Sequence, residues 1–179
     1  MTKVGGVVLG IGLSLSATPL QAETIPSSYR QIAHEYGIPP RVLYSVALQE
    51  SRMRLRSRQT RPWPWTLNVA GVPRRYPTRI AAYNGLTQYL IQGIRSIDVG
   101  LMQVNWRYHQ DKLGNPWQAL DPHHNVRTGA KILASEYRET QDWFEAIGRY
   151  HSPGPSVQQK RRAKKYARLV VGISNNLSK

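Results

Sequence analysis

Val42-Leu43-Tyr44-Ser45-Val46-Ala47-Leu48-Gln49-Glu50-Ser51 is the stretch on which the reading of this chain turns. Val42, Leu43, Val46 and Ala47 recur at helical spacing and mark one apolar face. Glu50 continues that face, four residues after Val46 and three after Ala47. A carboxylate at the inner end of an apolar stripe is desolvated, which disfavours its charged form. Such a group keeps its proton near neutral pH and can serve as a general acid. The plain alternative is that the helix emerges at Glu50 and the side chain faces water, as charged residues usually do. On this helix alone the plain alternative is favoured, so the decision passes to the rest of the chain.

Upstream, Tyr29 to Tyr36 reads as a helix, with Ser28 and Gln31 in a capping-box pattern and Gly37 as the stop. Pro39-Pro40 breaks the chain and opens the helix that carries Glu50. Downstream, Arg52 to Arg58 reads as a basic loop. Pro62 and Pro64, alternating with Trp63 and Trp65, exclude a helix. Thr66 to Val69 has strand character, Ala70-Gly71 is a turn signal, and Val72 to Tyr76 is a returning strand. Trp63 and Trp65 either form a stacking platform for sugar rings or pack this hairpin onto the core. Thr78 caps a helix from Arg79 to Gln92, ended by Gly93.

Ser96 to Asn105 is an apolar, extended run with Gly100 inside it. A glycine there marks either close approach by a neighbour or ligand, or a turn that needs positive φ. A short helix starts at Asn105 or Trp106, runs through Asp111 and ends near Gly114. Asp121-Pro122 opens a longer helix, and Asp142 with Glu145 opens another that reaches His151. Ser152 to Pro155 breaks the chain. The last helix, Ser156 to Ile173, carries Lys160, Arg161, Arg162, Lys164 and Lys165, and docks Ala163, Tyr166, Leu169, Val170 and Ile173 on the body. Its basic face either holds an anionic wall or membrane or is simply solvated.

The totals bound the partner. With 179 residues the chain suits one domain with a real core. Lys and Arg number 25 against 10 acidic residues, a formal charge of +15 that favours a polyanionic partner. There is no cysteine, and the five His offer no ligand spacing beyond adjacent His123 and His124, so neither a metal site nor a cofactor is expected. Lys3 followed by the apolar run Val4 to Leu15 and by Ala22 reads as a secretory signal peptide over residues 1–22, with cleavage after Ala17 as second choice. An uncleaved membrane anchor is the alternative. Residues 23–179 are then one exported domain, which argues against nucleic acid as the partner of the charge.

Three pieces stand in order: Ala47-Leu-Gln-Glu50-Ser51, Gly100-Leu-Met-Gln103-Val-Asn105, and Ala146-Ile-Gly-Arg-Tyr150-His151. Together they resemble the lytic transglycosylases of the SLT, goose-type lysozyme-like family, over about Ile25 to Tyr166. The Gly-Leu-Met-Gln-Val-Asn form looks most like members that accompany conjugation and secretion machines. The resemblance implies a mainly α, α+β lysozyme-like domain, with a small antiparallel β hairpin or three-stranded sheet beside an active-site cleft. It implies a periplasmic, monomeric enzyme that cleaves peptidoglycan glycan strands between N-acetylmuramic acid and N-acetylglucosamine. Glu50 would protonate the leaving oxygen and then act as base on the sugar's own 6-hydroxyl, giving a 1,6-anhydro product. By the same resemblance, Ser51 would orient or contact the site and Gly100 would permit close sugar approach. Met102 would wall the pocket, Gln103 would bond substrate polar groups, and Tyr150 would place its hydroxyl near Glu50. Core packing accounts for Met102 nearly as well.

The chain departs from the family at His151, which stands where Asn is usual; a structural role is favoured there. Tyr83-Asn84 looks like the family's Tyr-Asn pair but precedes the Gly100 segment, so it reads as ordinary helix. Three rivals are carried forward. One is a lysozyme-type hydrolase in which Asp98 activates water. Another is a non-catalytic cell-wall-binding protein. The third is a cytosolic nucleic-acid binder, suggested by charge alone.

Overall fold

The computed structural model describes residues 24–177; the signal segment expected over residues 1–22 lies outside them. The helices and strands in chain order are α1 (Ser27–Glu35), α2 (Pro40–Ser51), β1 (Arg52–Arg54), β2 (Thr60–Pro62), β3 (Thr66–Val69), β4 (Val72–Arg75), α3 (Arg79–Ile91), β5 (Ile97–Val99), β6 (Val104–Asn105), α4 (Trp106–Leu113), α5 (Pro116–Ala119), α6 (Pro122–Thr140), α7 (Trp143–His151) and α8 (Val157–Asn175). This is the mainly α, lysozyme-like α+β architecture.

Helix α2 runs through the core. Leu43, Val46 and Ala47 of the predicted stripe are fully buried, and so are Tyr44 and Ser45 beside them, while Val42 is only half-buried. A helix covered on nearly every side sits centrally rather than on the surface. Its cover comes from α8 on one side and α1 on another. Pro40 occupies its first turn, where a missing N–H costs nothing.

The expected caps fared unequally. The Asp121 side chain accepts from His124 N and the Asp142 side chain from Glu145 N; a reciprocal capping box of Ser156 with Gln159, not among the expected caps, opens the last helix. The box expected at Ser28 and Gln31 is absent, because α1 begins at Ser27 with Pro26 at its N-cap. That places Ser28 inside the first turn. The basic loop Arg52 to Arg58 is in part a hairpin, with Arg52 opposite Pro62 and Arg54 opposite Thr60. Charged residues on both strands hid this strand pairing, since hydrophobic alternation is the usual signal.

The main sheet has four antiparallel strands in the order β4-β3-β5-β6, not three. The run Ser96 to Asn105 is two strands around a turn at Gly100. Register pairs Thr66 with Arg75, Asn68 with both Pro73 and Asp98, and Asp98 with Asn105. Strand alternation then separates two faces. Leu67, Val69, Ile97 and Val99 enter the core. Thr66, Asn68, Asp98 and Asn105 form a polar row on the opposite face.

The Gly100 turn is pinned from two sides. The Ser51 hydroxyl donates to Leu101 O at 2.8 Å. Asn125, buried on α6, donates to Val99 O (2.9 Å) and Ala119 O (3.1 Å) and accepts from Met102 N (2.9 Å). Gly100 has φ +80°, and a Cβ there would lie 2.5 Å from the Asn125 amide nitrogen. Both alternatives for this glycine are thus met by the protein's own backbone and the neighbouring Asn125. Asn125→Ala strands three buried backbone groups at once. It should lower stability by about 3 kcal/mol, read from the urea midpoint at unchanged slope; a loss below about 1 kcal/mol would mean that the turn holds without it.

Candidate active site

A cavity of about 720 Å³ opens where the polar sheet face meets α2, α4 and α7; Glu50, Asp98, Gln103, Tyr150 and His151 line it together with Asn68, Asn105 and Arg75. Glu50 reaches it from the last turn of α2 and is half-buried. Its pKa is raised from 4.5 to about 7. Burial is the largest cause, the negative charge of Asp98 adds to it, and a hydrogen bond from Tyr166 opposes it. The negative end of the α2 dipole acts in the same direction as burial. Glu50 is thus partly withdrawn from water at the end of its helix, rather than fully exposed.

The Tyr166 hydroxyl donates to Glu50 Oε1 at 2.6 Å. Tyr166 belongs to α8 and is buried, and its ring stacks on His151 with centroids 4.4 Å apart and planes at 4°. Sequence reasoning placed Tyr166 only among the docking positions of the last helix. The available signal was a hydroxyl-bearing aromatic on the buried face of an otherwise basic helix. Burial lowers the pKa of His151 and nearby Arg162 lowers it further, against an opposing pull from Asp98. The imidazole facing the cavity is therefore mainly neutral at pH 7.

Tyr150 also lines the cavity, but its hydroxyl donates to Met102 O at 2.7 Å rather than to Glu50. Burial, then the charges of Glu50 and Asp98, push its pKa well up. The hydrogen bond to Glu50 is made by Tyr166, while Tyr150 lies near enough for the Glu50 charge to act on it. Gln103 adopts a left-handed conformation (φ +45°). Its amide donates to Gly100 O (2.8 Å) and Thr66 O (3.1 Å), which holds the side chain at the cavity wall.

Ser51, Gly100 and Met102 were expected at the substrate. All three are buried behind the cavity wall, where they shape the Gly100 turn. Met102 packs so closely on α6 that a Cβ on Gly129 would lie 2.6 Å from its own Cβ. Core packing is thus the role the geometry gives it. Of the two readings of Trp63 and Trp65, packing onto the core is met by Trp65. The two rings meet edge to face at 5.3 Å, Trp63 Nε1 donates to Tyr76 O, and neither lines the cavity.

Asp98 sits at the centre of the polar row. Asn68 Nδ2 donates to its Oδ2 (3.0 Å) and Asn105 Nδ2 to its Oδ1 (2.7 Å). Burial raises its pKa, while these two amides and His151 pull it back. The cavity thus holds one carboxyl whose proton affinity burial raises, and a second that two amides hold in place.

The lysozyme-like fold places Glu50, a half-buried acid, at a cavity of about 720 Å³ beside the sheet. The chain belongs to the transglycosylase SLT domain family, whose model matches residues 27–169. Comparison with curated proteins and with solved structures finds no match. Membership of this family carries lytic transglycosylase action on peptidoglycan.

Proposed function

We propose that Glu50 is the sole acid and base of a reaction that cleaves the β-1,4 bond after N-acetylmuramic acid and closes a 1,6-anhydro ring. The carrying observation is a half-buried carboxyl that lines the cavity and is held by the Tyr166 hydroxyl; burial raises its pKa to about 7. A group that must protonate the leaving oxygen and then accept a proton from the 6-hydroxyl works best when its pKa lies near the operating pH. Neutral amides of Gln103, Asn68 and Asn105 suit the hydroxyl and acetamido groups of such a sugar. The signal-like N-terminus supports a periplasmic site of action. The resemblance of Gly100 to Asn105 supports local wall opening for a conjugation- or pilus-type machine by a monomeric enzyme.

A second reading has one observation in its favour: Asp98 faces the same cavity as Glu50 and is close enough to raise its pKa. In a hydrolase, Asp98 would activate water. Against this, both Asp98 oxygens are already engaged by Asn68 and Asn105. The test is mass analysis of muropeptides released by protein recovered from the periplasm, with wild type and Asp98→Asn. Wild type should release 1,6-anhydro ends, and Asp98→Asn should keep the same product within about tenfold of the wild-type rate. Removal of that charge should also lower the pKa of Glu50. Reducing muramic ends that vanish in Asp98→Asn would establish the hydrolase instead, and protein confined to the cytoplasm would sink the periplasmic assignment.

A further inference from the structure

We infer that Arg75 grips a carboxylate on the muramic side chain of the substrate and thereby selects peptidoglycan over uncharged glycans. This rests on the glycan-cleaving reading above. Arg75 lies on edge strand β4 opposite Thr66, and alternation sets it with Pro73 on the polar face of the sheet. It is the one permanent cation among the described residues that line the cavity.

Its surroundings leave the guanidinium available. One nitrogen donates to Arg52 O at 3.2 Å, which holds the side chain at the edge of the cavity. Among the described residues it pairs with no carboxylate, although Arg79, Arg127 and Arg149 pair with Asp121, Glu35 and Glu136. A guanidinium is a rigid fork of five donors that matches a carboxylate in bidentate fashion. The rest of the polar row is neutral amide or hydroxyl apart from Asp98, which Asn68 and Asn105 already satisfy.

N-Acetylglucosamine offers this fork no anion. N-Acetylmuramic acid offers one through its lactyl ether: the lactyl carboxylate itself when bare, or the carboxylates of an attached peptide. The shared chemistry is a carboxylate carried off the sugar ring towards β4.

Binding in a Glu50→Gln background, where the ligand persists, tests this with three tetrasaccharides: one bearing peptide stems, one stripped by an amidase to bare lactyl carboxylates, and chitotetraose. Adding Arg75→Gln should weaken binding of carboxylate-bearing strands about tenfold and leave chitotetraose unchanged. Arg75→Lys should recover part of the loss. A loss confined to the first strand assigns the stem, and one confined to the second assigns the lactyl group. An equal loss for all three, or none for any, overturns the inference. Cleavage by the chain with Glu50 intact is scored separately. Strands bound selectively but left uncut would overturn the catalytic reading while leaving the Arg75 contact standing.

Discussion

Glu50→Gln should cut the rate of glycan-strand cleavage by about a thousandfold or more and, at pH 8, make the protein more stable by about 3 kcal/mol. Both effects come from the same burial. The activity falls because glutamine cannot give or take the proton. The stability rises because the native state holds the Glu50 proton more tightly than the unfolded chain does, with a pKa of about 7 against 4.5. For an acid raised in this way, the native state binds more protons between those two values. Stability therefore falls as pH rises from about 4.5 to 7, and the penalty stays in full above 7. The displacement corresponds to about 3 kcal/mol. Glutamine is neutral throughout, so the variant and wild type should coincide at pH 4.5 and diverge by pH 8. Urea unfolding at the two pH values checks this, and equal stability at pH 8 would show that the carboxyl is well solvated.

Tyr166→Phe should move the alkaline limb of the kcat/KM profile upward from about pH 7 and lower its maximum about tenfold. The hydroxyl donates to Glu50 and favours the carboxylate, so its loss raises the Glu50 pKa further. The rate falls because the carboxyl is no longer held towards the substrate; a charge-assisted hydrogen bond of this kind contributes about 1.5–3 kcal/mol. Phenylalanine keeps the ring that stacks on His151, so packing is preserved. A profile whose limb stays in place while activity falls would mean that the hydroxyl does not set the proton affinity of Glu50. A limb that moves downward would contradict the direction of the hydrogen bond. This makes α8 part of the site, whatever its exposed basic face does.

Much of the scaffold was legible. Helix spacing in Val42 to Ser51, the caps Thr78, Asp121 and Asp142, and the β3–β4 turn at Ala70-Gly71 depend on residues a few positions apart. The position of Glu50 on the buried stripe was readable for the same reason. The β1–β2 hairpin was not, because arginines on both strands mask the pairing. Short α5 was missed too: it is a four-residue turn with too few apolar positions to show a period.

At the site itself the division is sharper. Local spacing was enough for a helix whose apolar stripe ends in a carboxylate, a glycine-centred turn after it, and a family pattern joining the two. Which side chains meet is a property of the packed fold alone. Tyr166 reaches Glu50 across 116 residues of chain, Asn68 reaches Asp98 across 30, and Asn125 locks the Gly100 turn from another helix. The packed fold also bonds the Tyr150 hydroxyl to Met102 O and buries Ser51 and Met102 behind the cavity. The physical reason is that desolvation and hydrogen-bond geometry belong to the packed arrangement. A local pattern can put a carboxylate on an apolar face, but the proton affinity of Glu50 is set by what α8 and the sheet bring against it.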